Sequence, residues 1–263
     1  MRNMIFAFLV AAASVAAGEI SVTELTSLRA DVLFLGETHD NPVHHENQAA
    51  AVAALRPRAV VWEMLDPEQA GRVTADLVKD QAALGVALEW ENSNWPDFSF
   101  YYPIFAASGA ARHYGAMVPR DAVRAAILGG DIAAAFGPGA ERYQLTAPLP
   151  DDQQQQREAE QLEAHCNALP PEMLPGMVLG QRLRDARLAE QVELALTETG
   201  GPVAVITGNG HARKDWGAPY LLGDGPTVVT VGQLEASPDQ TPPFDHFLVT
   251  AAAERDDPCK AFQ

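Results

Sequence analysis

The feature that most constrains the fold is a short apolar run that leads directly into a dense set of ionisable side chains. Residues 32–35 (VLFL) are apolar and stop at Gly36, a pattern typical of a buried strand. The ionisable residues that follow are Glu37, His39, Asp40, His44, His45 and Glu46. Burying even a neutral polar group costs roughly 2–7 kcal/mol unless it is paired. Because such a cluster is costly to place beside a buried strand, it indicates a functional site.

Further apolar runs predict the remaining strands, and patterns of helical period separate them. The predicted strands are residues 59–62, 114–118, 202–207, 227–231 and 246–250, the last at an edge of the sheet. The predicted helices include residues 44–55, 67–86, 151–168 and 181–199. Strands alternating with helices predict an α/β fold with a mostly parallel central sheet flanked by helices.

The domain organisation follows from the same pattern. We predict a single domain over residues 18–250, with a helical insertion at about residues 120–199 and a loose tail at residues 251–263. Cys166 and Cys259 could form a disulfide or remain as two separate thiols, because the sequence does not give the distance between them.

The N-terminus predicts export. Residues 1–17 carry Arg2, then an apolar stretch, then small residues, which is the pattern of a cleavable signal peptide, and its style indicates a bacterial periplasm. The apolar run is shorter than the ~20 residues that span a membrane, and the absence of a cysteine near the cleavage point argues against a lipid anchor. The formal net charge of -17 argues against nucleic acid as a partner.

Polar side chains follow three of the predicted strands. Glu37 and His39 come after the first, Glu63 follows residues 59–62, and His211 follows residues 202–207. Because the carboxyl ends of parallel strands meet at one edge of a sheet, we expect these four to form one site. They are candidate ligands of a divalent transition metal. They are equally candidate catalytic residues of a metal-free acid–base site.

An aromatic-rich stretch lies at residues 88–105, in a chain with only 7% aromatic residues. It predicts either a lid packed on the core or one wall of an apolar pocket for a flat ligand. Composition favours the lid, because half-buried aromatic side chains are usually packing residues.

Several motifs together resemble those of a known family. They are GETHDNPVHHENQ, GNGHARKDWGAPYLL, Trp62-Glu63-Met64, Tyr102-Pro103-Ile104-Phe105, Val118-Pro119-Arg120 and Gln181-Arg182. With these motifs the chain resembles the ChaN-like haem-binding uptake proteins, over roughly residues 20–232. That family belongs to a superfamily with the Tiki/TraB proteins and the erythromycin esterases.

The resemblance implies an exported α/β protein that binds haem, with two haems stacked at a homodimer interface and a link to an outer-membrane haem or iron uptake system. In that picture a tyrosine binds the iron, which is sound chemistry for ferric haem, and Tyr102 is the first candidate. A histidine of the other subunit contacts the propionates, with His113 or His165 as candidates, and Arg120 is an alternative anion partner.

The same resemblance implies a second reading of the site. Enzymes of the superfamily use an arrangement like Glu37, His39, Glu63 and His211 for hydrolysis, with a metal in the Tiki proteins and without one in the esterases. We therefore expect a haem-binding uptake protein, and keep a peptidase-like or esterase-like hydrolase as the alternative.

Overall fold

The computed structural model describes residues 17–257 and 259–260. The strands are β1 (Gly18–Glu19), β2 (Val32–Glu37), β3 (Ala59–Trp62), β4 (Arg112–Gly115), β5 (Val203–Gly208), β6 (Val228–Leu234) and β7 (His246–Val249). The helices are α1 (Val22–Leu25), α2 (Pro42–Leu55), α3 (Pro67–Gly71), α4 (Gln81–Ala87), α5 (Phe98–Ala107), α6 (Arg120–Gly129), α7 (Ile132–Phe136), α8 (Asp151–Ala164), α9 (Leu174–Thr199) and α10 (Asn209–Ala212). Short 3-10 turns lie at Leu77–Lys79, Trp90–Asn92, Pro171–Met173 and Ala218–Leu222.

The strands form one seven-stranded sheet in the order β1-β7-β6-β2-β5-β3-β4, and every neighbouring pair is parallel. The predicted α/β fold with a mostly parallel sheet is therefore confirmed. All residues of β2 and of β5 are buried. Central strands covered on both faces need apolar side chains on both faces, which explains why they are visible as continuous apolar runs in the sequence.

Two hydrophobic cores cover the two faces of the sheet. Alternate residues of β2 divide between them: Val32 and Phe34 pack into one core, and Leu33 and Leu35 into the other. The long helix α9 contributes to the first core, whereas α2 and α5 contribute to the second. The sheet is thus held between helical layers, and its strand ends are fixed in position.

Several predicted boundaries were wrong. Residues 67–86 do not form one helix, because α3 ends at Gly71 and α4 begins at Gln81. Asp80 caps α4, since its side chain accepts a hydrogen bond from the backbone N–H of Ala83. Strand β7 is not at the edge, since the two-residue β1 pairs with its outer side.

The C-terminal tail is held against the domain, which corrects the prediction of a loose tail. Arg255 forms ion pairs with Asp40 and Glu235. Cys166 and Cys259 form a disulfide with a Cα–Cα distance of 5.5 Å, which decides between the two alternatives. The tail is therefore tied to the segment that follows α8 and to the loop that follows β2.

The signal-peptide prediction concerns residues 1–17, of which 1–16 lie outside the described part of the chain. Among the residues that are described, no helix combines the length and the apolar character needed to cross a membrane.

Candidate functional site

The strand order brings three polar strand ends together. Strands β2, β5 and β3 are consecutive in the sheet, and Glu37 at the end of β2 lies level with Gly208 at the end of β5. The backbone N–H of Glu63, just after β3, donates to the carbonyl oxygen of Ile206 on β5. The structure thus brings Glu37, Glu63 and the β5–α10 junction to one edge, as the strand-end pattern predicts.

Glu37 is a buried carboxylate that collects hydrogen bonds from three side chains. Its Oε1 accepts from Nδ1 of His39 at 2.7 Å and from the hydroxyl of Tyr101 at 2.8 Å, and its Oε2 accepts from Nε2 of Gln48 at 2.7 Å. Burial opposes ionisation of this carboxyl. The hydrogen bond from His39 and the neighbouring imidazoles outweigh burial, so that the pKa of Glu37 lies below its usual value.

His39 is oriented by Glu37 and faces a cavity. Burial disfavours its charged form, but the hydrogen bond to Glu37 and the carboxylate of Glu63 outweigh burial and raise the pKa of His39 to about 9. Its imidazole meets Trp95 edge-on, with ring centroids 4.9 Å apart. A Cβ at Gly208 would lie 3.0 Å from Nε2 of His39, so the glycine permits this close approach.

Glu63 is fixed as an anion between two histidines. Its Oε2 accepts hydrogen bonds from the hydroxyl of Thr207 at 2.7 Å and from the backbone N–H of Gly208 at 2.8 Å, and its Oε1 lies 3.6 Å from Nε2 of His211. Burial raises the pKa of this carboxyl, but the charges of His211 and His39 and these hydrogen bonds lower it to about 2.

His211 is held on its other side by a residue that the sequence did not single out. Its Nδ1 donates to Oδ1 of Asp185, on α9, at 2.6 Å. Burial lowers the pKa of His211, but Glu63 and Asp185 flank the imidazole and raise it above its usual value. One feature of the sequence could have indicated a role for Asp185: it is a carboxylate among apolar residues of a predicted helix, next to the buried Leu183 and Ala186.

His44 and His45 hold the loop that carries His39 in position through hydrogen bonds. His44 is buried, its Nδ1 accepts from the backbone N–H of Thr38, and its Nε2 donates to the hydroxyl of Thr250. Burial lowers the pKa of His44 to about 4, so this ring is neutral at pH 7. His45 is also buried and donates through Nε2 to the carbonyl oxygen of His39. Both rings therefore position the loop that carries His39.

A cavity of about 730 Å³ opens over these strand ends. His39, Glu63 and His211 form its floor. Its walls combine apolar and polar side chains: Met64, Trp95, Met117, Val118, Arg120, His165, Met177, Gln181, Arg184 and Leu188 are among them. The helical insertion supplies one wall and the segment before α5 another. The volume and the mixed lining suit a small organic ligand.

Two of the predicted haem contacts do not line this cavity. The hydroxyl of Tyr102 donates to the carbonyl oxygen of Val78 at 3.0 Å. His113 lies under Trp62, whose Nε1 donates to Nδ1 of His113 at 2.9 Å, and burial lowers the pKa of His113 to about 4. The other two predicted contacts, Arg120 and His165, do line the cavity.

The aromatic stretch mainly packs on the core. Trp90, Phe98, Tyr101 and Phe105 are buried in the hydrophobic core on the α2–α5 face, and Trp95 is the aromatic residue of this stretch that lines the cavity. The arrangement matches the lid alternative for most of the stretch.

The predicted metal ligands are not arranged as a metal site. Among residues 17–257 and 259–260, no group of three or more His, Cys, Asp or Glu side chains is placed to hold a metal ion. The physical reason is that the donor atoms are already paired with protein groups: His39 with Glu37, His211 with Asp185, and Glu63 with Thr207 and Gly208.

A second, smaller cavity of about 170 Å³ is lined by Asp185. Its lining includes Arg157, Arg182, Trp216 and Tyr220. Because Asp185 lines this cavity and binds His211, which lines the larger one, the Asp185–His211 pair separates the two.

Tyr220 differs from the other tyrosines of the chain. The hydroxyls of Tyr101, Tyr102, Tyr114 and Tyr143 donate to Glu37, Val78, Glu198 and Glu193, respectively. Tyr220 is 51% exposed, and no described group hydrogen-bonds its hydroxyl. Tyr220 lies within the motif GNGHARKDWGAPYLL, and nothing in that motif marks it as a ligand. Only the tertiary structure distinguishes it from the other four.

Comparisons with known proteins agree with the fold. A family model described as haem-binding uptake, Tiki superfamily, ChaN matches residues 25–222. A solved structure described as cofacial haem binding to ChaN of Campylobacter jejuni is 22% identical, with a TM-score of 0.63, and the match covers 85% of this chain and 88% of that one. The type III effector HopBA1 is 11% identical with a TM-score of 0.45, over 88% and 92% of the two chains. A search of curated proteins gives no significant match.

Proposed function

This chain belongs to the ChaN family of haem-binding uptake proteins, in the Tiki superfamily, and on that premise we propose that it binds ferric haem through Tyr220. Tyrosinate is an established ligand of haem iron. A ligand must reach the iron with an oxygen that is not already committed to the protein. Tyr220 is the tyrosine that meets this requirement, and this observation carries the proposal.

The surroundings of Tyr220 fit a porphyrin. Trp216 lines the adjoining cavity, and the guanidinium of Arg213, which is ion-paired with Glu160 and Asp215, stacks on its ring at 3.6 Å. Arg157 lies 5.1 Å from the same ring. A flat apolar ring system with acidic side arms calls for aromatic surface next to cationic groups. When bound, the haem supplies a ferric centre to the tyrosinate, while these side chains orient the ring.

The exposure of Tyr220 favours haem bound at an interface between two copies of the chain. A ligand at the surface leaves the opposite face of the haem open to solvent, and a second haem-loaded copy would cover that face. We therefore propose that haem binding produces a homodimer in which two haems stack. The cofacial haem binding described for the Campylobacter jejuni protein supports the stacking. His165 remains the proposed propionate contact from the other subunit, because His113 is enclosed beneath Trp62.

A pair of matched variants tests the ligand. Tyr220→Phe should remove the tyrosinate charge-transfer absorption of the haem complex, because phenylalanine offers no oxygen to the iron. Tyr102→Phe is the control, since it also removes one hydroxyl from an aromatic ring but lies on the lid. Loss of the band in Tyr102→Phe, with the band retained in Tyr220→Phe, would restore Tyr102 as the ligand and refute Tyr220. Sedimentation of the haem-loaded wild type tests the dimer.

Export to the periplasm and service to an outer-membrane haem or iron uptake system complete the proposal. The proposed export rests on the N-terminal sequence pattern, residues 1–17. The proposed link to an uptake system rests on the family alone. Fractionation of cells that produce the full chain should place a shortened protein in the periplasm. A full-length protein in the cytoplasm would contradict this part of the proposal without affecting haem binding.

A second candidate function, hydrolysis of an ester, is favoured by the geometry of the larger cavity. Its floor holds the anionic Glu63 between His39 and His211, and Asp185 orients His211. A water would lose a proton to Glu63 while its oxygen bonds to the carbonyl carbon. The protonated His39 would then supply the proton that the departing alcohol needs.

Variants of this cavity separate the two functions. Asp185→Asn and His39→Gln should each lower hydrolysis of nitrophenyl esters by 10²-fold or more, since positioned acid–base groups contribute about 10²–10⁴-fold. Tyr220→Phe should hydrolyse them as the wild type does. If the wild type and both cavity variants hydrolyse the nitrophenyl esters at equal rates, catalysis by this site is excluded.

A further inference from the structure

Arg157, on α8, carries a guanidinium that has no ionic partner among the described residues. Its Nη2 donates to the amide oxygen of Gln153 at 2.9 Å, and its Nε is buried and has no hydrogen-bond partner. No carboxylate oxygen of the described residues lies within 4.0 Å of its nitrogens. Burial lowers the pKa of Arg157 to about 10. Charges that are partly removed from water are normally paired, so this partly buried guanidinium is available to a ligand.

The charges around Arg157 favour an anion as that ligand. The second cation of the small cavity, Arg182, is only 8% exposed and donates to the backbone oxygens of Gln144 and Ala147. It too has no carboxylate partner among residues 17–257 and 259–260. One carboxylate, Asp185, lines the cavity, but its Oδ1 accepts the hydrogen bond from His211. The cavity thus holds two guanidinium groups and one engaged carboxylate.

The position of this cavity links it to the proposed haem ligand. Tyr220 and Trp216 line it together with Arg157 and Arg182. A haem carries two propionates on one edge of the ring, so a haem held by Tyr220 can direct one propionate into the cavity. At about 170 Å³ the cavity admits a carboxylate group but not the ring itself.

We propose that the small cavity is a carboxylate subsite in which Arg157 pairs with one propionate of the haem. This inference rests on the proposed function, because it takes Tyr220 as the iron ligand. In this arrangement Arg157 increases the affinity for haem and orients the ring, and Tyr220 forms the bond to the iron. A guanidinium fork suits a carboxylate because both oxygens can accept hydrogen bonds.

The test compares haem with haem dimethyl ester, whose carboxylates are esterified, in titrations of the full mature protein. Arg157→Gln should weaken the binding of haem about 10- to 100-fold, since hydrogen bonds to charged groups contribute about 1.5–3 kcal/mol. It should weaken the binding of the ester much less than that of haem, because the ester offers no carboxylate to the guanidinium. Arg124→Gln removes one exposed arginine of α6 and serves as the control for net charge. Arg157→Lys should bind with intermediate affinity.

The outcomes separate this inference from the proposed function. A tyrosinate band in Arg157→Gln with unchanged haem affinity would overturn the subsite and leave Tyr220 as the ligand. Equal weakening of haem and ester would also overturn it, because the loss would not involve a carboxylate. A wild type that binds no haem, or binds it without a tyrosinate band, would overturn both. Thermal unfolding of each variant identifies a loss of binding that comes from misfolding.

Discussion

Replacing Glu37 with glutamine tests whether a buried carboxylate sets the charge of His39. The substitution keeps the size of the side chain but removes its charge and one acceptor oxygen. Three donors face this side chain, from His39, Tyr101 and Gln48. If the amide oxygen of the new glutamine accepts from His39 and Tyr101, its NH₂ group faces the side-chain NH₂ of Gln48. Two donors then face each other, and the buried Gln48 donor loses its acceptor.

The structure gives the expected magnitudes. The rise in the pKa of His39 from 6.5 to about 9 corresponds to about 3 kcal/mol, at about 1.4 kcal/mol for each pH unit. Because its side chain is 36% exposed, solvent screening reduces the contribution to stability to about 1 kcal/mol. An unsatisfied buried donor adds about 1–3 kcal/mol. We therefore expect Glu37→Gln to lower the free energy of unfolding by about 2–4 kcal/mol at pH 7.

The sign of the pH dependence follows from the direction of the pKa change. A raised pKa means that the stabilising contribution of His39 is fully present below pH 6.5 and is lost as the pH rises through about 9. In Glu37→Gln the pKa of His39 should fall by more than one pH unit, with Glu63 maintaining the remaining rise. The stability difference between wild type and variant should then shrink above pH 9.

The assay is an NMR titration of the His39 imidazole, combined with chemical denaturation at pH 7 and pH 10. Glu46→Gln, an exposed carboxylate on α2, is the matched control and should leave the pKa of His39 unchanged. If His39 still titrates near pH 9 in Glu37→Gln, the assignment of its charge to Glu37 is refuted.

Three further perturbations have defined outcomes. Reducing the Cys166–Cys259 disulfide, which spans 93 residues, should lower the free energy of unfolding by about 2–4 kcal/mol in guanidinium denaturation, and an unchanged midpoint would contradict this. Gly115→Ala would place a Cβ 2.1 Å from a backbone oxygen and should cost about 3 kcal/mol or more. Gly71→Ala, where an added Cβ meets nothing within 4 Å, is the control and should be close to neutral when the two variants are compared by thermal unfolding. Burial lowers the pKa of His44 to about 4, so the stability that its neutral ring contributes is present above pH 6.5 and is lost as the pH falls. The free energy of unfolding should therefore drop by about 2 kcal/mol between pH 7 and pH 5. His44→Gln should lack that drop.

The sequence predicted the sheet because burial on both faces leaves a local pattern. Strands β2, β3 and β5 are continuous apolar runs, and in each case a polar or glycine-containing segment marks where the run ends. Helix breaks were harder to predict. Asp80 caps the N-terminus of α4 through its side chain, although the sequence pattern predicted one continuous helix over residues 67–86.

The four strand-end residues could be predicted because chain topology alone brings them near each other. Glu37, Glu63 and His211 follow parallel strands, and parallel strands end at a common edge. What each residue does at that edge depends on partners that are distant in the chain. Asp185, 26 residues before His211, changes an isolated imidazole into an oriented pair.

The sequence by itself determined the α/β fold, the family and the edge at which the polar residues gather, since all three depend on local patterns of burial and on short motifs. The tertiary structure alone decided that Cys166 pairs with Cys259 and that the hydroxyl of Tyr102 is engaged while Tyr220 is exposed. It also decided that Arg157 meets no anionic partner within the part of the chain that the structure describes. Each of these depends on which groups meet across the packed elements, and a hydrogen bond or an ion pair forms only when distant parts of the chain place donor and acceptor within about 3–4 Å.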